Sequence, residues 1–201
     1  GGCSSESPSG AGGPGAPADP FQAARWLHLR GVDGDTAAAR QAHEQLTQLL
    51  QAQPTDPLRR AYLGSSYLLM GRDAALPWKK GEHVQRGLAL LDEAVAQAPD
   101  HLEVRLVRAA STYRLPAAAG RADTARQDIA WVIEQVTDAG AESDVAPSVA
   151  AGALHLQGEI FHEQAQREQA EQLWREAVRI GPETRGGKRA AARLQQTAAD
   201  S

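Results

Sequence analysis

Apolar positions recur every three to four residues from about residue 20 onward. The pattern is clearest over residues 36–52, where one helical face carries Ala38, Ala42, Leu46, Leu49 and Leu50. The β-branched run from Trp131 to Ile133 lies inside the same helical period and not in a two-residue alternation. We therefore predict an all-α fold without strands.

Proline, glycine and aspartate divide this pattern into nine predicted helices. Asp19-Pro20 begins the first helix, and Gly31 to Asp35 ends it. Pro54 and Pro99 end later helices, because proline cannot continue a helical hydrogen-bond ladder. The remaining predicted helices cover about 36–52, 57–70, 83–98, 101–114, 122–137, 146–164, 167–180 and 185–198.

Small and aromatic residues recur at fixed spacing near the C-terminal end. The spaced residues are Leu154, Gly158, Phe161, Ala170, Trp174, Ala177 and Pro182. Gly158 and Ala170 permit two helices to approach closely, while Phe161 and Trp174 fill the space beside them. This pattern resembles the tetratricopeptide (TPR) repeat, in which paired antiparallel helices pack through small residues.

The same frame fits three earlier stretches. It fits Trp26 to Pro54, then Leu63 to Pro99 with an insertion between the helices, and more loosely 102–147. The resemblance covers about 20–198 and implies a TPR-like α-α superhelix, a right-handed solenoid of about four helix pairs plus a C-terminal capping helix. The alternative is an ordinary helical bundle whose alanine and glycine spacing is accidental.

Four segments are also similar to a set of bacterial TPR-like proteins. They are Gly64 to Tyr67, Arg72 to Ala74, Gly87 to Val95 and Arg105 to Pro116. This similarity supports the fold and implies no activity.

Residues 1–19 have no apolar period and are rich in Ser, Gly, Pro and Ala, so we predict a disordered tether before a helical domain at 20–198. Gly2-Cys3-Ser4-Ser5 resembles the end of a bacterial lipobox. That resemblance implies lipidation of Cys3 and a place in the bacterial cell envelope, on the periplasmic side, with Ser4 favouring the outer membrane. The alternative is a stray cysteine in a tail.

Composition excludes several classes of site. The net charge is −4 without a long basic run, so we expect no nucleic-acid partner. The single cysteine excludes an internal disulfide and a cysteine-based zinc site. No Ser-His-Asp or Cys-His arrangement is evident, so we expect neither enzymatic activity nor a cofactor.

The TPR resemblance implies a concave groove, lined by the first helix of each pair, that binds a peptide or partner helix. In the last pair, His155, Glu159, His162 and Glu163 share one helix face. Three interpretations stay open for this row: a polar peptide clamp, a zinc or copper site, or a solvated wall.

The second pair carries an apolar row on the corresponding face, formed by Leu58, Ala61, Ser65, Leu68 and Leu69. An apolar segment of a partner could bind Leu68 and Leu69. Alternatively, neighbouring elements of the chain cover them.

Two insertions, 72–83 and 114–122, lie between paired helices, and we predict loops that form a binding lobe on one edge. Its members would be Arg72, Asp73, Trp78, Lys79, Lys80, Arg114 and Arg121. An aromatic ring with several cations suits an acidic peptide or an anionic headgroup. The alternative is that Trp78 fills a gap and the charges are solvated.

These features predict a non-catalytic scaffold or adaptor of the bacterial envelope, with another protein as its partner and a membrane anchor at Cys3. One alternative is a chaperone-like holder of an unfolded client such as an apocytochrome. Another is a metal carrier that uses His155, Glu159 and His162.

Overall fold

A computed structural model describes residue 15 and the ranges 17–138 and 145–199, and this part of the chain contains helices and no strand. The all-α prediction is confirmed. The helices are α1 (Pro20–Val32), α2 (Thr36–Ala52), α3 (Pro57–Asp73), α4 (Pro77–Gln97), α5 (Leu102–Thr112), α6 (Ala122–Asp138), α7 (Pro147–Glu163), α8 (Arg167–Ile180) and α9 (Arg185–Ala199).

The first three helices each begin with an aspartate N-cap. Asp19, Asp35 and Asp56 each accept hydrogen bonds from backbone amides two or three residues later. These carboxylates satisfy amides that have no partner inside the helix. Pro20 and Pro57 follow two of the caps at a position where proline loses no hydrogen bond.

The chain divides into unit 1, which ends at Gly87, and unit 2, which begins at Leu88. In unit 1, α1 contacts α2 and α3, and α2 contacts α3. In unit 2, α7 contacts α5, α6, α8 and α9. These helices therefore contact both a chain neighbour and the next helix but one, which is the order expected of stacked helix pairs.

Glycines mark the closest helix approaches in unit 1. A Cβ on Gly31 would lie 2.9 Å from the Cα of Ala39, so α1 and α2 meet backbone to backbone. A Cβ on Gly87 would lie 2.7 Å from the carbonyl oxygen of Gly64, which brings the middle of α4 equally close to α3. Close crossings of this kind require glycine at these two positions.

The close helix approach predicted at Gly158 is present in unit 2, and the residue packed against Gly158 is Trp174. Trp174 is fully buried, and a Cβ on Gly158 would lie 2.4 Å from its Nε1. The indole N–H donates to the carbonyl oxygen of His155 over 3.3 Å. Helix α9 then covers α7, since a Cβ on Gly186 would lie 2.6 Å from the α7 backbone.

The prediction of a loop over 72–83 is wrong. Helix α3 continues to Asp73 and α4 begins at Pro77, so only residues 74–76 connect them. Proline at the first helical position is a start signal that the sequence already contains. The second insertion does interrupt the helices, with a short 3-10 turn at Ala117–Ala119 that ends at Gly120 in the left-handed region, φ 62°.

Candidate functional site

One polar surface of unit 2 is built from alternate helices, and we call it the α7 face. It consists of Arg114, which follows α5, then His155, Glu159 and Glu163 on α7, and Arg193 on α9. Glu159 is its buried centre: its carboxylate accepts from Arg193 Nε over 2.8 Å and from Arg114 Nη2 over 3.2 Å. Arg114 also donates to Glu163 over 3.3 Å, and both of these side chains are more than half exposed.

His155 lies beside Glu159, with 3.7 Å between its Nε2 and a carboxylate oxygen. Burial lowers the pKa of His155 to about 4, although the Glu159 charge acts in the opposite direction. Arg189, Arg114 and Arg193 lower this pKa further. The imidazole is therefore neutral at pH 7, and the charge of the face resides in its arginines and glutamates.

His162 does not join this cluster. Its ring lies against Trp174, with 5.5 Å between ring centroids. Both oxygens of Glu159 already bond to arginines. In the part of the chain that the structure describes, no three His, Cys, Asp or Glu side chains converge on a common metal position. The metal-carrier alternative loses its predicted ligand set, because His155, Glu159 and His162 do not converge.

A small cavity adjoins the α7 face. It has a volume of about 250 Å³, and Glu163 is shared by the cavity wall and the face. The other lining residues are Tyr113, Ala122, Arg126, Ile160 and Gln164. Burial raises the pKa of Tyr113 to about 12, so its hydroxyl is protonated at pH 7. A space of this size could hold one large side chain or a few water molecules.

A second polar cluster in unit 2 is structural, and it includes Arg121 from the predicted lobe. Asp128 is 1% exposed and accepts from Arg105 Nη1 over 2.9 Å and from Arg108 Nε over 2.6 Å. Arg108 and Arg121 both donate to Asp92, over 3.1 and 2.7 Å. Arg121 therefore bonds within the protein, where it links α4 to the start of α6.

The remaining residues of the predicted lobe lie in unit 1, with Trp78, Lys79 and Lys80 exposed. Arg72 is occupied, since its Nη1 donates to the carbonyl oxygen of Gly31 over 3.0 Å and its Nε to Asp73 over 2.7 Å. The predicted lobe is therefore divided between the two units, and Arg72, Arg114 and Arg121 all have intramolecular partners.

The apolar row of the second pair is not an open surface. Leu68 is buried, with its side chain against Gly87 of α4. Ser65 is buried too, and its hydroxyl lies 2.8 Å from His28 Nε2 on α1. Leu69 is only half-buried. The prediction of Leu68 as a groove residue is wrong, because α4 packs on the same side of α3.

Cys3 lies outside the described residues. None of the helices in the described ranges is long and apolar enough to cross a membrane.

No protein-family model matches this sequence, and no characterised protein matches it. A search of solved structures does give a match: the crystal structure of a thermophilic TPR protein from Thermus thermophilus. It has a TM-score of 0.58 and 18% sequence identity, over 89% of this chain and 83% of the other. The fold is TPR-like. In this TPR-like fold, α1–α2, α3–α4, α5–α6 and α7–α8 are the four predicted helix pairs, and α9 is the predicted capping helix.

Sequence reasoning finds the α7 residues of the site, assigns Arg114 to the separate lobe, and misses Arg193. In the sequence, Arg193 stands out only as part of an arginine-rich capping helix, and Tyr113 only as part of the repeat frame. The TPR-like order of the helices could have indicated these partners. In that order α5 contacts α7 and α7 contacts α9, so polar residues on or next to these helices can meet.

Proposed function

We propose that this chain is a non-catalytic scaffold or adaptor that captures another protein through the α7 face. The observation that carries the proposal is the meeting at Glu159 of Arg193 from α9 and Arg114 from the segment after α5, within a TPR-like fold. Exposed charges of both signs, Arg114 and Glu163, lie next to each other there. A partner with complementary charges can exchange with such half-exposed pairs at little cost, because exposed ion pairs contribute little to folding.

The cavity beside Glu163 adds a geometric argument. Protein recognition usually depends on a few side chains that enter pockets, surrounded by polar contacts. The α7 face provides a polar rim, and the adjoining space under Tyr113 and Ile160 provides a pocket for one side chain. We therefore expect the partner to present a large side chain next to basic and acidic groups.

Site-specific photo-crosslinking in the cells of origin tests this proposal. A photoreactive amino acid at Glu163 should give a discrete crosslinked product with one protein. The matched control places it at Glu168, an exposed residue in the first turn of α8. Equal labelling at the two positions, or none at Glu163, would argue against the α7 face as the capture surface.

Part of the proposal concerns location. Cys3, in its lipobox-like setting, would be acylated and hold the protein at the envelope, on the periplasmic side. Expression behind a lipoprotein signal sequence, followed by detergent phase partition, should place the wild type in the detergent phase and Cys3→Ser in the aqueous phase. If both proteins partition alike, the anchor is not at Cys3.

The chaperone-like alternative depended on an open apolar row along α3. Leu68 and Ser65 are buried there, so that row gives the alternative no support.

A further inference from the structure

Large apolar side chains are exposed at only three places in the described residues, and all three are in unit 1. They are Trp78, Leu76 and Val32, with exposed fractions of 67%, 42% and 39%. Trp78 and Leu76 flank Pro77 at the start of α4, and Val32 ends α1. Isolated exposed apolar residues are ordinary, but a group of large ones marks an interaction surface.

The fold brings these three residues to the same end of unit 1. Arg72, in the last turn of α3, donates to the carbonyl oxygen of Gly31, in the last turn of α1. Val32 is the next residue after Gly31, and Leu76 follows α3 by three residues. The C-terminal ends of α1 and α3 and the N-terminal end of α4 therefore lie together. We call this surface the Trp78 end: Val32, Leu76, Trp78, Lys79 and Lys80.

The charged groups of the Trp78 end that form no ion pair carry a net positive charge. Lys79 and Lys80 directly follow Trp78, and neither forms an ion pair with any described residue. Arg72 and Asp73 lie nearby but neutralise each other through two hydrogen bonds. Glu82 is one turn further along α4, and Asp33, which follows Val32, has a partner within the protein, so the two lysines outnumber the one acidic group of this stretch that forms no ion pair with a described residue.

We propose that the Trp78 end docks on an anionic membrane surface. The indole and the leucine enter the boundary between headgroups and acyl chains, and the two lysines contact lipid phosphates. Tryptophan is enriched at this depth of a bilayer because its ring is apolar and its N–H remains polar. Lysine side chains extend toward the headgroups while their stems lie along apolar surface.

A bilayer fits this surface better than an acidic peptide does. A peptide that binds tightly places its anchor side chains in pockets. Trp78 and Leu76 instead project outward, and no residue of the Trp78 end lines the cavity in unit 2. A lipid interface is fluid and accepts protruding side chains without a preformed pocket.

Vesicle co-sedimentation tests this inference with the full chain carrying Cys3→Ser, so that no acyl group can contribute. The probes are phosphatidylcholine vesicles with and without phosphatidylglycerol. We expect binding only to the anionic vesicles, with loss at high salt. Trp78→Ala should weaken binding about tenfold. Lys79→Gln and Lys80→Gln should each weaken it about fivefold.

A charge-matched control is available on α8. Arg175→Gln with Arg179→Gln changes the net charge as much as the two lysine substitutions do, at exposed positions on a helix of unit 2. If this control weakens vesicle binding as much as the lysine substitutions do, net charge alone explains the binding, and the proposal is overturned. Absence of vesicle binding would also overturn it, as would a photo-crosslink from position 78 to an acidic protein. Circular dichroism should show Trp78→Ala folded as the wild type.

Discussion

Gly158 and Gly152 lie on the same helix, α7, but their surroundings differ sharply. A Cβ at Gly158 would collide with the fully buried Trp174, whereas a Cβ at Gly152 would lie 3.4 Å from Leu106, close to an ordinary contact. We expect Gly158→Ala to lower the free energy of unfolding by about 1–3 kcal/mol through overpacking. Urea denaturation measures this change.

Gly152→Ala is the matched control for that experiment. Alanine in a helix interior is favoured over glycine by about 1 kcal/mol, so this variant should be neutral or more stable. Equal destabilisation by both substitutions would mean that the Trp174 contact does not explain the effect.

His155 makes stability depend on pH. Its pKa is lowered by burial to about 4, below the ordinary value of 6.5, so the unfolded chain binds this proton more readily. The contribution of the neutral imidazole to the free energy of unfolding is present above pH 6.5 and is lost as pH falls toward 4. Between pH 7 and pH 5 we expect a loss of about 1–2 kcal/mol attributable to this group.

The comparison of wild type with His155→Gln isolates this contribution. Glu159, Arg114, Arg189 and Arg193 face the imidazole and stay in place in the variant. Urea unfolding at pH 7 and pH 5 should show a smaller pH-dependent loss in the variant. An unchanged loss would show that the imidazole is already solvated.

Residue types and spacing were enough to predict a close helix approach at Gly158 with Trp174 filling space beside it, because both residues belong to the repeat frame. They were not enough for Asp128. Its partners Arg105 and Arg108 lie at least 20 positions earlier in the chain, on another helix, and no local pattern specifies that pairing. The sequence left the burial of Leu68 undecided for the same reason, since it depends on where α4 packs.

At the scale of elements, the Asp128 cluster joins α4, α5 and α6. Asp128→Asn would remove the carboxylate that Arg105 and Arg108, both largely buried, share, and would leave Arg108 with Asp92 alone. Removal of one partner from a buried ion pair is strongly destabilising, and we expect a loss of about 3 kcal/mol in the free energy of unfolding. Thermal and urea unfolding measure it.

Asp123→Asn is the control on the same helix. Asp123 is almost fully exposed and pairs with an exposed Arg126, so this substitution should change stability little. Similar losses in both variants would indicate that the cluster is not the source of stability.

Helix existence was predictable along the described chain, but helix length was not. The apolar period of α4 is clear only from about residue 83, while the helix begins at Pro77. Residues 77–82 have few apolar side chains, because this turn of the helix is exposed. Periodicity reports burial, so an exposed helical extension gives no periodic signal.

At the scale of the whole molecule, the two proposed surfaces should be separable. Glu163→Arg should abolish partner crosslinking from another position on the α7 face and leave vesicle binding unchanged. Trp78→Ala should have the opposite effects. Loss of both activities in either variant, with unfolding curves unchanged, would contradict separate surfaces for protein and lipid.

The fold class was within reach of the sequence because the helix pairs repeat one frame. The distribution of free charge was not. Lys79 and Lys80 have no ion-pair partner among the described residues, whereas Arg72, Arg114 and Arg121 bond within the protein. The sequence alone does not distinguish these five cations, because all of them lie in the two insertions. Only packing distinguishes a cation that holds helices together from one that can meet a ligand.

The contrast between Trp78 and Trp174 supplies built-in optical reporters. Iodide in solution can reach the indole of Trp78 but not that of Trp174, which is fully enclosed. With the partly exposed Trp26 and Trp131 replaced by phenylalanine, protection from iodide quenching would report occupancy at the start of α4. New quenching of the enclosed Trp174 would instead report opening of the α7–α8 pair.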